Sequence, residues 1–336
     1  MFRCREVSGK KVTFIGNDKN DMKRKVCCIV SLLLAVVSVC RAGEERMVLK
    51  TATGDIYGWL TMPEGVDSAD VVLIAGGSGP TDHDGNAPGM ANNALRFLAA
   101  DLAEAGIASL RFDKRGVAVS SAAGPSESDL RFGHYIDDVR GWIALLDEDS
   151  RFRHIFLAGH SEGAQIVAEA AADDSRVAGV ILIAGMGRPA GSVIREQLAA
   201  RAPSVLVREA DAILDSLEVG RTVAKVSAPL YGLFRPDVQP YMISWLQYDP
   251  LRAVARLQVP VLVVQGDTDI QVGPEDAGML VGANSRARRV VIGGMNHVLK
   301  LCKTKDMSVQ VATYYDPDRP NHPELAKAVV LFISER

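Results

Sequence analysis

One serine in this 336-residue chain stands where its hydroxyl could become a nucleophile. The run His154-Ile155-Phe156-Leu157-Ala158 leads into Gly159-His160-Ser161-Glu162-Gly163, and small residues at helical spacing follow at once. A strand, a sharp turn through Gly-x-Ser-x-Gly and a helix together lift a serine side chain above the end of a sheet. Gly159 and Gly163 are expected where a side chain would strike the neighbouring strand and helix. The helix N-terminus beneath Ser161 would favour developing negative charge. Gly-x-Ser-x-Gly also arises by chance, so the reading needs a base, an acid and an oxyanion hole from elsewhere.

A serine hydroxyl is a weak nucleophile until a base takes its proton. An imidazole base in turn needs an acid to fix its tautomer and hold its charge. Behind a turn of this kind the chain order is serine, then Asp or Glu, then His. His297 follows the last strand and fits. His134, His154 and His160 come too early, and His322 lies in a proline-rich loop. Two aspartates compete for the acid. Asp269, in Gly266-Asp267-Thr268-Asp269, has room to turn toward the histidine, whereas Asp267 is tied closer to its strand, so Asp269 is favoured. The loop Gly76-Gly77-Ser78-Gly79-Pro80-Thr81-Asp82-His83-Asp84-Gly85-Asn86 follows an apolar run. It does not complete Gly-x-Gly-x-x-Gly and has no Gly-Lys-Ser/Thr, so dinucleotide and P-loop readings fail. It reads as an oxyanion loop, with the N–H groups of Ser78 and Glu162 as donors. Asp82, His83 and Asp84 then brace the loop, and Asp113 and Arg115 form structural pairs.

These residues need a scaffold that brings them to one edge. Residues 47–52 and 56–62 alternate around a Gly54 turn as a hairpin. Apolar runs at 71–75, 107–112, the serine strand, 177–184, 259–265 and 287–292 read as strands, most of them buried on both faces. Helical spacing separates them at 92–105, 135–146 and 164–172, and 325–333 closes the chain. Alternation of this kind predicts an α/β fold with a mostly parallel sheet and helices on both faces. It breaks between about 186 and 256. That stretch has helix-like runs at 192–200 and 205–217, then Pro229, Tyr231, Phe234, Pro236, Pro240, Tyr241, Trp245 and Tyr248. It reads as a helical lid, whose aromatics either line an acyl or aryl pocket or form the lid's own core.

The N-terminus carries an address. Lys23-Arg24-Lys25, the apolar run 26–39 and Cys40-Arg41-Ala42-Gly43 match a secretory signal peptide over 22–42, cut after Ala42. An uncleaved anchor is the alternative, and the only membrane contact expected. Residues 1–21 are patternless, and Met22 reads as the true start. The expected mature domain is 43–336, secreted or periplasmic. The chain's formal charge is −3, and loss of the basic leader makes the remainder distinctly acidic. With aromatics at 6% and no basic block beyond the leader, nucleic acid is not an expected partner. Cys4, Cys27, Cys28 and Cys40 fall before residue 43, so the lone Cys302 allows no intrachain disulfide and reads as structural. No Cys/His group has zinc-ligand spacing, so no metal is expected.

The chain resembles the α/β-hydrolase superfamily from about residue 46 onward. More narrowly, it is similar to bacterial exported hydrolases with a serine aminopeptidase S33-like domain. The matching motifs are Gly-Ser-Gly-Pro-Thr-Asp-x-Asp-Gly (77–85), Arg-Phe-Asp-Lys-Arg-Gly (111–116), Gly-His-Ser-Glu-Gly (159–163), Gln-Gly-x-x-Asp (265–269) and Met-Asn-His-Val-Leu-Lys (295–300). His83 stands where relatives usually have arginine, and Ala118 breaks the usual Arg-Gly-x-Gly-x-Ser. The resemblance implies a cofactor-free serine hydrolase acting on a small ester or acyl substrate. Carboxylic esters are the first expectation, since many relatives act on esters. An aminopeptidase, amidase or thioesterase on the same residues is the alternative. An acidic lid residue (Glu196, Glu209 or Asp211) holding a free N-terminus would favour the peptidase. A non-catalytic binding protein would require a missing triad member.

Overall fold

In a computed structural model, residues 43–335 are described. The expected extension, signal peptide, cleavage point and four of the cysteines lie outside them. Eight strands form one sheet: β1 (Glu44–Thr51), β2 (Gly54–Thr61), β3 (Ala69–Ala75), β4 (Ala108–Phe112), β5 (Phe152–His160), β6 (Val177–Ile183), β7 (Val261–Gly266) and β8 (Ala287–Ile292). Their spatial order is β1-β2-β4-β3-β5-β6-β7-β8. The hairpin β1–β2 and the β2–β4 pair are antiparallel. Every pair from β4 to β8 is parallel. The α/β expectation therefore holds, with the strand C-termini from β3 to β8 rising along one edge. Ligands in open parallel sheets bind at that edge.

Between the strands run α1 (Ala94–Glu104), α2 (Phe132–Asp147) and α3 (Glu162–Ala171). Strand residues divide between two cores by their period of two. In β3, Val71 and Leu73 face one core while Val72 and Ile74 face the other. β5 does the same with Ile155 and Leu157 against Phe156 and Ala158. Each large apolar side chain of this kind stabilises the fold by about 1.5–3 kcal/mol when fully buried. The near-continuous apolar runs in the sequence have this origin: a strand covered on both faces has no polar side to show.

No strand occurs between β6 and β7. That stretch holds α4 (Ala190–Arg201), α5 (Ser204–Glu218), α6 (Tyr231–Phe234), α7 (Gln239–Trp245) and α8 (Pro250–Ala255). β7 begins at Val261 rather than 259, because Pro260 has no N–H for the ladder; only its carbonyl takes part, accepting from Val180 N at 3.0 Å. Three helices follow: α9 (Pro274–Gly282), α10 (Met307–Ala312) and the C-terminal α11 (Pro323–Ser334). α9 is absent from the elements expected above. Its signal is present all the same, with Pro274 at the first helical position and Glu275 and Asp276 in the first turn.

Candidate active site

β5 ends at His160, and Ser161 makes the turn into α3 with φ 56° and ψ −120°, a strained conformation for a residue with a side chain. Neighbours hold it there. Ser161 N donates to Ile183 O at 2.9 Å, and Ala164 N donates back to Ser161 O at 3.0 Å. A Cβ on Gly159 would lie 2.1 Å from Gly163 O, and one on Gly163 would lie 2.4 Å from Ala75 O. Both positions therefore exclude any side chain, as the sequence motif implied. The serine side chain is half-buried at the C-terminal edge of the sheet.

The loop after β8 brings His297 to that serine. His297 Nε2 lies 3.2 Å from Ser161 Oγ, and its Nδ1 lies 2.8 Å from Asp269 Oδ2. His297 and Asp269 are each 4% exposed, so their contact is shielded from water. Asp269 Oδ1 accepts from Gln271 N at 2.7 Å and Val272 N at 3.1 Å, and Oδ2 also accepts from Gln265 Nε2 at 3.1 Å. Burial pushes the Asp269 carboxyl up. The facing His297 charge and hydrogen bond, with the two amides, outweigh burial and hold it below the usual carboxylate range. Asp267 serves the loop instead. Its Oδ1 accepts from Gly294 N at 2.6 Å, bracing the segment that carries His297. The two loops also meet at Gly266, where a Cβ would sit 1.9 Å from Met295 O. The glycine before the aspartate is thus needed because the histidine loop crosses it.

His160, too early in the chain to be the base, has a definite place. Its Nε2 donates to the His297 carbonyl at 2.7 Å, and the two rings lie 4.9 Å apart. Burial and then the neighbouring His297 push its pKa down to about 4, so the ring is neutral at pH 7. His160 thereby ties the Ser161 turn to the His297 loop, a contact invisible in the sequence because the partners are 137 positions apart.

Of the expected oxyanion donors Ser78 and Glu162, Glu162 directly follows Ser161 in the chain, and Ser78 follows the glycine that packs against it. Glu162 N–H opens α3 and has no intrahelical acceptor available to it. Ser78 follows Gly77, whose added Cβ would lie 3.3 Å from Ser161 Cβ. The rest of that loop is braced much as expected. Asp82 Oδ1 accepts from the amides of Asp84 and Asn86, each at 2.9 Å. His83 stacks on Trp59 with ring centroids 3.5 Å apart and contacts Asp113 through Nδ1 at 2.7 Å. Asp84 pairs with the buried Arg111. Asp113 and Arg115 are structural but not partners of each other, since Arg115 pairs with Asp138.

A cavity of about 280 Å³ lies beside the glycine-rich loop after β3, lined by Pro80, Val117, Leu130, Tyr135, Val238 and Tyr241. The more exposed Arg235–Glu127 ion pair also lines it. Of the aromatics singled out between β6 and β7, Tyr241 lines this cavity. Phe234, Trp245 and Tyr241 itself are buried in the hydrophobic core, and Trp245 stacks with Phe132 at 6.0 Å. Two bonds join α7 to α3: Tyr241 Oη donates to Glu162 Oε1 at 2.6 Å, and Trp245 Nε1 donates to Gln165 Oε1 at 2.9 Å.

Comparison with known proteins agrees with this architecture. Esterase EstD of Thermotoga maritima is 25% identical over 288 residues, covering 81% of this chain; the chain spans 65% of that relative's length. Est1E from Butyrivibrio proteoclasticus superposes with a TM-score of 0.56 at 18% identity, over 86% of this chain and 99% of its own. The Pyrococcus furiosus esterase Pf2001 does so with 0.56 at 14%, over 87% of this chain and 91% of its own. At such identities these two structures speak for the fold. The sequence profile of the serine aminopeptidase S33 family matches residues 87–300. By that match and by its sheet, the chain is a member of the serine aminopeptidase S33 family, on an α/β-hydrolase fold.

Proposed function

We propose that the protein is a serine hydrolase that cleaves carboxylic esters through an acyl-enzyme, with Ser161, His297 and Asp269 as its triad. The observation that carries this is the continuous contact from Ser161 Oγ through His297 to Asp269, at 3.2 and 2.8 Å. His297 Nε2 takes the serine proton as Oγ attacks the carbonyl. It then delivers that proton to the leaving alkoxide. Asp269 holds the Nδ1–H tautomer and faces the imidazolium charge. Ser78 and Glu162 N–H groups take the oxyanion, each worth on the order of a hundredfold in rate. Water repeats the sequence on the acyl-enzyme, so no step calls for a cofactor. The cavity beside Tyr241 would take the acyl or leaving group, with the stretch between β6 and β7 as its lid. The basic, then apolar, N-terminal sequence supports export.

The esterase name of the Thermotoga maritima relative favours esters, and the family's name raises the peptidase alternative. The acidic residues that could have held a peptide N-terminus are engaged elsewhere. Glu196 pairs with Arg188, Asp211 lies 3.6 Å from Arg195, and Glu209 Oε1 accepts from Ser227 N at 2.7 Å. This supports the ester reading over the aminopeptidase.

The test is turnover of p-nitrophenyl acetate, butyrate and octanoate, a feruloyl ester and an aminoacyl anilide by residues 43–336, beside Ser161→Ala. Ester turnover that falls by about 10⁴-fold or more in the variant is expected. Anilide hydrolysis outrunning every ester would transfer the reading to a peptidase. Turnover that survives Ser161→Ala would remove the serine mechanism.

A further inference from the structure

Lys114 occupies the turn after β4, in Asp113-Lys114-Arg115-Gly116, and is 3% exposed. Its neighbours serve the scaffold through Asp113–His83 and Arg115–Asp138. Lys114 instead reaches toward the nucleophile. Its Nζ donates to Gly77 O at 2.6 Å and lies 5.1 Å from the centre of the Tyr135 ring. Removing an ammonium from water costs several kcal/mol unless something returns it. Burial accordingly pushes the Lys114 pKa down, and the nearby Glu162 carboxylate works against that. Glu162 is itself buried and takes the Tyr241 hydroxyl. A buried cation and a buried anion thus stand behind the two candidate oxyanion donors.

The peptide between Gly77 and Ser78 explains the arrangement. In a trans peptide the C=O and N–H point to opposite sides. Drawing Gly77 O toward the ammonium turns the Ser78 N–H the other way. Gly77 itself packs against the Ser161 turn, where a Cβ on it would meet Ser161 Cβ at 3.3 Å and His160 Nδ1 at 3.4 Å, so the peptide lies within reach of an oxygen held at that serine. A charged donor on the carbonyl also draws electron density from the N–H and makes it a stronger donor. We propose that Lys114 is a positioning residue of the oxyanion hole. Through the Gly77 carbonyl, its ammonium aims and polarises the Ser78 N–H toward the oxygen of the tetrahedral intermediate, and Glu162, held by the Tyr241 hydroxyl, supplies the balancing charge. This rests on the serine-hydrolase reading.

The experiment compares Lys114→Met, Lys114→Gln and the unmodified chain, with active sites counted by a fluorophosphonate. The substrates are an ester and the thionoester of the same acid and alcohol. Sulfur accepts hydrogen bonds weakly, so the thionoester draws little help from the oxyanion hole. Lys114→Met is expected to lower kcat on the ester about ten- to a hundredfold with KM within about twofold. The thionoester should be affected much less, so the ester-to-thionoester rate ratio collapses. Lys114→Gln keeps an N–H for Gly77 O and should recover part of the loss; if the methionine variant does not fold, Gln against the unmodified chain carries the same ratio. Unchanged kcat, or ester and thionoester rates falling in step, would overturn the proposal. An unmodified chain whose turnover survives Ser161→Ala strikes the parent reading instead, and that control separates the two failures.

Discussion

Ser161, Asp269 and His297 each stand within a few residues of a strand end, whereas Tyr241 and Trp245 stand inside the strand-free stretch between β6 and β7. Both groups converge on the start of α3. The first does so through short turns: Gly-x-Ser-x-Gly after β5, Gly-x-x-Asp after β7 and Met-Asn-His after β8. The second does so through two side-chain bonds, 79 and 80 positions apart in sequence. A strand end fixes its next few residues by backbone geometry, so small errors elsewhere do not move them. A helical insertion is positioned by its packing, and its effect on the site is only as firm as the contacts it makes.

The sharpest test of the strand-end region pits its two aspartates against each other. Asp269→Asn keeps the shape but presents an amide where His297 needs a carboxylate, which disfavours the Nδ1–H tautomer and leaves the imidazolium unpaired. A fall in kcat of about 10⁴-fold is expected, and stability should fall as well, because the charged contacts of Asp269 with His297 and two backbone amides are weakened. Asp267→Asn keeps an amide oxygen for Gly294 N but removes the charge that strengthens that bond. It should leave kcat within about tenfold and lower unfolding stability by about 0.5–1.5 kcal/mol. Steady-state rates on one ester, with urea unfolding of both variants, check this. Equal losses of kcat would mean that the two carboxylates act as a unit, and the assignment of Asp269 alone would fall.

That contrast explains what was legible in the sequence. The sheet and its parallel pairing followed from apolar period and turn residues, which are local, and the meeting of Ser161, Asp269 and His297 followed from their order along the chain and their places after strands. Expectation and structure part at two element starts. β7 starts two residues late because Pro260 has no N–H for the ladder, and α9, missing from the expected elements, starts at Pro274 with Glu275 and Asp276 in its first turn. The roles of Phe234 and Trp245 as core, and of Tyr241 as a cavity wall, were not separable, because burial depends on partners that the insertion's own sequence does not name. Nor was the approach of Met295 O to Gly266, or the grip of Lys114 on Gly77, since each joins loops from different strands.

The insertion's contacts should matter less per residue. Tyr241→Phe leaves the Glu162 carboxylate without its hydroxyl donor, a charged hydrogen bond worth about 1.5–3 kcal/mol. Trp245→Phe removes a neutral bond to Gln165 worth about 0.5–1.5 kcal/mol. Both variants should expose the stretch between β6 and β7 to limited proteolysis before the rest of the domain, Tyr241→Phe more so. Ester turnover is expected to drop no more than about thirtyfold, well short of Asp269→Asn. A Tyr241→Phe loss that matched the Asp269→Asn loss would erase the distinction, making the insertion part of the catalytic frame rather than a cover docked on it.

Acid pH separates the regions in another way. His160 belongs to the strand-end region, with its Nε2–H on the His297 carbonyl. Its pKa in the fold is pushed down to about 4, first by burial and then by His297. In the unfolded chain an ordinary histidine titrates near about 6.5. Between those values the unfolded state holds a proton that the folded state does not, so unfolding takes up as much as one proton. Stability from this residue is therefore complete above about 6.5 and falls as the pH drops toward about 4. Asp269 acts lower: its carboxyl sits below the ordinary range, so its contribution is present above the unfolded carboxylate pKa and is lost only as pH falls further. In urea unfolding from pH 7 to pH 4, the unmodified chain should lose stability across the histidine window. His160→Gln, which keeps an N–H for the His297 carbonyl, should lose less over the same interval. Tyr241→Phe should be offset by a constant amount and run parallel to the unmodified chain. If His160→Gln ran parallel as well, the buried neutral ring would not be what couples the nucleophile turn to pH.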